Sequence, residues 1–146
     1  KFIGDAAMVL FNSQQDQVNH ARAALEMAAD VCVWSVNELQ IEPRNLDVAI
    51  GITSGLALVG QVGDVQRRTH TAIGNTINKA FRLERLCREL HHHVIVSSET
   101  IDQVRHASDA SVSPAFQVDG LRFKLIGSVP LPGFADETLV YGAIAV

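Results

Sequence analysis

The stretch RTHTAIGNTINKAFRLERLCREL, residues 68–90, decides the fold. Apolar groups recur at Ile77, Ala80, Phe81, Leu83, Leu86, Cys87 and Leu90. Steps of three and four predict a helix over Asn75 to Leu90 with one inward face. Gly74, Asn75 and Thr76 form its first turn, with Asn75 a good capping residue. Such a start leaves backbone N–H groups without helical partners, a seat suited to a phosphate. Asn78 and Arg82 lie four apart, share a face and stand outside the apolar stripe. Arg presents a planar fork of donors that suits a phosphoryl oxygen, and Asn offers a donor and an acceptor to a ribose hydroxyl. The plainer reading is a surface arginine paired with Glu84, Glu89 or water.

Upstream, Thr69 to Ile73 is mixed in character, and Gly63-Asp64 to Arg68 reads as a polar, basic turn. Asp47 to Thr53 and Leu56 to Val62 read as strands separated by Gly55. Ser13 to about Gln40 reads as one long helix, with Ala21, Ala24, Leu25, Ala28, Cys32 and Val36 on its inner face. Ser13 or Asp16 is placed to cap it, and Pro43 and Asn45 to end it. Lys1 to Ile3 and Ala6 to Phe11 flank Gly4-Asp5, a hairpin signal. Lys1, Ile3 and Asp5 share a face if that strand is straight. Downstream come a strand at Val94 to Val96, a helix from Ser98 to Val104, and a loop from Arg105 to Pro114. Phe116 to Ile126 follows, with its Asp119-Gly120 turn, then the Pro130–Gly133 loop and a last strand from Thr138 to Tyr141. Interleaved helices and hairpins predict an α+β layer, with helices on one side of a mixed or antiparallel sheet.

The bulk numbers bound the function. A chain of 146 residues suits one domain, 1–146, with one core. The 47% apolar and 19% charged fractions are those of a folding chain. A net charge of -4 gives no general footprint for nucleic acid, although a local phosphate site remains open. Cys32 and Cys87 have no CxxC spacing, which points to buried thiols in a reducing compartment. No run of 18 apolar residues exists to span a membrane. The opening Lys1-Phe2-Ile3 already reads as strand, so the numbering is expected to begin inside a domain.

Other residues invite chemistry. Asp5, at a hairpin rim, suits either Mg²⁺ or simple turn chemistry. Lys1 beside it is otherwise a solvated chain-end lysine. Arg67 and Arg68 either attract a triphosphate or solvate a loop. His91, His92 and His93 are consecutive and point in alternating directions, whereas zinc needs convergent ligands, and His20, His70 and His106 are isolated. The glycines at 51, 55, 60 and 63 make neither GxGxxG nor GxxxxGK[ST]; they read as bends or close backbone approaches.

Together these pieces resemble one family, the class III nucleotidyl cyclase catalytic domains. KFIGDAAMVLF (1–11) resembles the family's lysine, glycine and aspartate motif, and GITSGLALVGQVG (51–63) its glycine-rich strand pair. RTHTAIGNTINKAFRLE (68–84) resembles its signature helix start, and LPGF (131–134) through Tyr141 its closing loop and strand. The resemblance runs over nearly the whole chain in the right order. It implies a ferredoxin-like βαββαβ core with extra strands, here missing the first strand region. It implies head-to-tail pairing, with a second copy or another cyclase domain, and two Mg²⁺ or Mn²⁺ ions per site. Asp5 matches a metal-binding aspartate. Lys1 and Thr71 match the base-reading positions, in the adenine-reading combination. Asn78 matches the residue that orients the ribose, and Arg82 the one that stabilises the transition state. Asn78 and Arg82 are expected to serve the site whose Lys1 and Asp5 come from the partner subunit. The activity implied is adenylate cyclase, from ATP to cyclic AMP and pyrophosphate, in a cytoplasmic setting under a sensory module. Two departures stand out. The family's other metal aspartate lies upstream of Lys1, and Pro132 replaces a triphosphate-binding lysine, for which Lys124, Arg67 or Arg68 are candidate substitutes. These departures favour a catalytically weak regulatory domain as the rival reading, with a guanylate cyclase as the next.

Overall fold

The computed structural model describes residues 1–38, 48–64, 66–108 and 115–145. The elements run β1 (Phe2–Ile3), β2 (Ala6–Ala7), α1 (His20–Glu38), β3 (Ile50–Ile52), β4 (Leu58–Gly63) and β5 (Arg68–Ile73). Then come α2 (Asn75–Leu90), β6 (Val94–Ser97), α3 (Ser98–Ser108), β7 (Ala115–Val118), β8 (Leu121–Val129) and β9 (Thr138–Ala145). Five strands form one sheet in the order β3-β6-β9-β8-β7, while β1-β2 and β4-β5 are separate hairpins. β3 and β6 are parallel; the other pairs of the large sheet are antiparallel. The fold is α+β with a mixed central sheet, as expected.

The helices do not share one side of that sheet. Alternation along β6 explains this, because successive side chains point to opposite faces. Val94 and Val96 pack with Leu25 and Ala28 of α1 and Ile101 and Val104 of α3. Ile95 faces the other way and packs with Leu83 and Cys87 of α2. On β3 the residue facing α2 is Gly51, and a methyl there would collide with the backbone of Ala80 and Glu84. The missing side chain lets α2 lie against the strand, the close approach expected of a strand glycine.

α1 starts at His20, not Ser13. Asn12 adopts a left-handed φ of 57°, and its side-chain oxygen accepts the Gln17 amide at 2.6 Å. The polar run between them is therefore held as a loop, and neither Ser13 nor Asp16 caps the helix. The inner face is as expected at Ala21, Ala24, Leu25, Ala28 and Cys32, all buried. α3 continues to Ser108, past the expected end at Val104 and into the loop expected from Arg105 to Pro114; the rest of that loop, the expected helix end at Gln40, Pro43 and Asn45 and the strand start at Asp47 lie outside the described residues. β8 runs past Ile126 because the register shifts between Leu125 and Gly127, and pairing resumes at Gly127, at φ 136°, opposite Val140. Asp119 and Gly120 both take positive φ in the β7–β8 turn, which matches the hairpin signal.

Cys32 and Cys87 are both buried thiols. The Cys87 Sγ–H donates to carbonyl oxygens of Ile50 and Leu83, and burial pushes its pKa from 9.0 up to about 11. A raised thiol pKa means that the folded chain keeps a proton the unfolded chain releases. Stability is thus full below pH 9.0 and falls as pH rises towards about 11. Urea midpoints are expected to drop across that window, and Cys87→Ala to flatten part of the drop. Equal pH slopes in the two proteins would show that Cys87 contributes nothing.

Candidate active site

β1 and β2 pair Phe2 with Ala7 and Ile3 with Ala6, so Gly4 and Asp5 form the turn itself. Gly4 takes φ 63°, the glycine position of a type II′ turn. Lys1 continues the ladder by accepting the Met8 amide at 2.8 Å. The chain reverses before Asp5, so the straight-strand argument that put Lys1, Ile3 and Asp5 on one face does not hold. Asp5 stands exposed at the tip.

Lys1 instead reaches across the structure. Its Nζ donates to Thr71 Oγ1 at 3.2 Å, over 70 positions of sequence. Beside the pair opens a cavity of about 650 Å³, walled by His70 and the polar Asn12–Gln17 loop. An ammonium has three donors and a hydroxyl can accept or donate, so the pair can still bond a third group. The two residues belong to one chain, so Lys1 lies with its own Thr71 and not only with a partner's residues.

Thr71 sits on β5 opposite Gly60 of β4. Three residues on, Gly74 is the N-cap of α2, with no side-chain cap. Glycine therefore takes the cap position expected of Asn75. The Thr76 hydroxyl donates to the Leu56 carbonyl at 2.6 Å and ties the helix start to the loop before β4. The α2 bounds are those read from the spacing, and His91 closes the helix in the left-handed conformation. Asn78 is exposed and Arg82 partly buried. Among the described residues, Arg82 has neither an ion pair nor a side-chain hydrogen bond, so the expected alternative of pairing with Glu84 or Glu89 is not seen.

The loop after β8 turns on Pro132-Gly133. The Phe134 amide donates to the Leu131 carbonyl at 3.1 Å, and Gly133 has φ 86°. Proline followed by a positive-φ glycine fits a type II turn. Leu131 anchors the loop in the core beside Ile95 and Val140. Arg67, Arg68 and Lys124 are exposed, the first two at the far end of the β4–β5 hairpin and Lys124 on β8. The cation found against the loop is Lys79, whose Nζ lies 5.7 Å from the Phe134 ring centre and 2.8 Å from Glu99 Oε1. Sequence reading did not single out Lys79, because its partners are 20 and 55 positions away and leave no local pattern.

Divalent ions need several oxygen ligands, six for Mg²⁺. Among the described residues no three His, Cys, Asp or Glu side chains gather as a metal site. Asp5 alone supplies at most part of one coordination shell. The described residues do not complete a two-ion site. Among them, no helix is long and apolar enough to cross a membrane.

Comparison with known proteins gives a consistent picture. Residues 1–129 match the family model described as the adenylate and guanylate cyclase catalytic domain. The terminal-differentiation-specific adenylate cyclase of Dictyostelium discoideum is 28% identical over 147 residues, covering 99% of this chain. The chain spans only 6% of that relative's length. The crystal structure of the adenylyl cyclase CyaB from P. aeruginosa superposes with TM-score 0.75 at 23% identity, covering all of this chain and 70% of that one. The guanylate cyclase domain of RhGC from Catenaria anguillulae, in complex with GTP, also gives 0.75, at 19% identity, over 99% of this chain and 70% of that one. Equal likeness to adenylyl and guanylyl enzymes shows the fold and leaves the choice of base to individual side chains.

Proposed function

The chain belongs to the adenylate and guanylate cyclase catalytic domain family, and from that premise we propose that it is an adenylate cyclase, converting ATP to 3′,5′-cyclic AMP and pyrophosphate. The observation that carries this reading is the Lys1–Thr71 hydrogen bond at the edge of a polar cavity. An ammonium offers only donors. Adenine N1 accepts, whereas guanine N1 carries a proton, so Lys1 favours adenine.

The reaction is an in-line displacement within one bound nucleotide. The ribose 3′ oxygen forms a bond to the α-phosphorus, its proton leaves to solvent, and pyrophosphate departs. Asn78 holds the ribose so that this oxygen is aimed, which removes orientational entropy from the barrier. Arg82 meets the charge that builds on the α-phosphate and bridging oxygens, and a donor already in place is more effective than water that must reorient. Asp5 is assigned a contact to the divalent ion that accompanies the triphosphate. Lys1 and Thr71 of one chain serve one base, with Asp5 available to a partner's nucleotide.

Pairing of two domains, head to tail, is part of the proposal. Phe2, Leu56 and Leu58 are 87%, 96% and 70% exposed. Phe2 and Leu58 lie in the hairpins next to Lys1 and Thr71, and Leu56 lies in the loop before β4. Covering such groups is worth about 25 cal/mol per Å² of apolar surface. The second reading, a weak regulatory domain, is favoured by Pro132, which offers no cation at the turn of the closing loop.

A cyclisation assay on the full chain, with ATP and GTP in separate reactions containing Mg²⁺ or Mn²⁺, tests the proposal. Cyclic AMP formation is expected to exceed cyclic GMP formation at least about tenfold, the size of one mispaired buried hydrogen-bonding group. Preference for GTP would move the assignment to a guanylate cyclase. No product from either nucleotide, from folded protein, would favour the regulatory reading.

A further inference from the structure

Lysine is seldom well covered unless it is paired. The Lys79 side chain is 18% exposed, and its ammonium meets two elements remote in sequence. Glu99, in the first turn of α3, accepts from Nζ at 2.8 Å. Phe134, in the loop after β8, presents its ring at 5.7 Å, within the range of a cation–π contact. Phe134 also packs against the α2 side of the core, beside Leu131. Lys79 itself follows Asn78 directly and precedes Arg82 by less than one helical turn.

The charges make this junction sensitive. Asp136 and Glu137 of the same loop line a cavity of about 500 Å³ together with Glu99, and Lys79 is the cation in its wall. Without Lys79, three carboxylates would face one another across the junction. Burial raises the Glu99 pKa, yet the hydrogen bond from Lys79 and its neighbours' contributions outweigh burial and leave it lowered. Glu99 is thus ionised at neutral pH.

We propose that Lys79 is a positioning residue: its ammonium straps the Pro130–Glu137 loop and the start of α3 to the first turns of α2, and so fixes Asn78 and Arg82 relative to that loop. The proposal rests on the cyclase reading for its effect on turnover, but not for its effect on the loop. An isolated surface ion pair would contribute little. Here the Lys79 cation is covered although Glu99 is 45% exposed; with a ring over that cation and three elements joined, the contact holds geometry, and small misplacements of reacting groups are costly.

The test compares Lys79→Met, Lys79→Arg and Glu99→Gln in the full chain. Met keeps the apolar stem and loses the charge; Arg keeps charge and ring contact. Amide hydrogen exchange at Leu131 and Gly133 to Thr138 is expected to quicken about tenfold in Lys79→Met, and by a similar factor in Glu99→Gln. Lys79→Arg is expected to keep near-normal exchange. In the cyclisation assay, Lys79→Met should lower kcat about tenfold with KM for ATP changed less than about twofold, and Lys79→Arg should restore most of it. Wild-type exchange in Lys79→Met would overturn the strap. So would a raised KM at unchanged kcat, which would mark Lys79 as a ground-state substrate ligand. If Lys79→Met does not fold, Glu99→Gln decides by the same exchange readout. If the unaltered chain cyclises neither nucleotide, the functional reading fails, and exchange alone still settles the strap.

Discussion

Arg82→Ala is expected to lower cyclic AMP formation at least about a hundredfold while the chain stays folded. That factor corresponds to roughly 2.7 kcal/mol of lost transition-state stabilisation. The expectation follows from where the side chain sits. Arg82 is partly buried, on a helix whose inner face is locked by Leu83 and Cys87. Among the described residues its guanidinium has no ion-pair partner. Little structure therefore depends on it, and truncation should change stability by no more than about 0.5–1 kcal/mol. An arginine tied to Glu84 or Glu89 would have meant the opposite, loss of stability with little loss of turnover. The companion substitution Arg82→Lys keeps the charge but not the planar fork, and should recover only part of the rate. The measurement is kcat and KM for ATP in each variant, with urea unfolding alongside. Full turnover in Arg82→Ala would sink the assignment of this residue, and unfolding of the variant would make the residue structural.

How much of this was legible before the structure varied with the range of the interaction. α2 was read to the residue, because its apolar stripe and the Gly74-Asn75-Thr76 start all lie within one window. The inner face of α1 was legible for the same reason. Its start was not, since the Asn12 side chain that captures the Gln17 amide wins over nearby helix-compatible residues, a competition typical of short polar side chains. The side of the sheet on which α2 lies was not legible from helix periodicity either. The clue was Gly51 alternating with Ile50 and Ile52, two β-branched residues facing α1 and α3 and none facing α2. Within the site, Asn78 and Arg82 share a helix face and were found by spacing. Lys1 and Thr71 are joined by a contact spanning 70 positions, and only the family resemblance had brought them together. Lys79, Glu99 and Phe134 lie on three elements, and no single stretch of sequence holds all three, so nothing short of the fold could assemble them.

Gly51→Val is expected to be the most destabilising of the substitutions considered, by about 3 kcal/mol, at the upper end of what overpacking a core costs. The first added carbon would strike the Ala80 carbonyl and the Glu84 amide, which are backbone atoms of α2 and cannot turn aside as a flexible side chain would. β3 cannot retreat, because Ile50 and Ile52 are hydrogen-bonded in register with Val94 and Val96 and packed on the opposite face. The helix must move or the chain must unfold, and a loss of this size is a large share of the roughly 5–15 kcal/mol that holds a domain together. Gly60→Ala is the matched control. Gly60 also lies in a strand, but a methyl there meets nothing within 4 Å, so its cost should stay within about 0.5–1 kcal/mol. Urea midpoints of Gly51→Ala, Gly51→Val and Gly60→Ala should therefore fall in a graded series, with the control nearest the unaltered chain. Because α2 carries Asn78 and Arg82, any Gly51 variant that still folds should also lose turnover, since displacing reacting groups by about 1 Å can cost a hundredfold in rate. A Gly51→Ala protein as stable and as active as Gly60→Ala would mean that α2 does not rest on β3, and that the route by which this sheet positions its arginine is wrong.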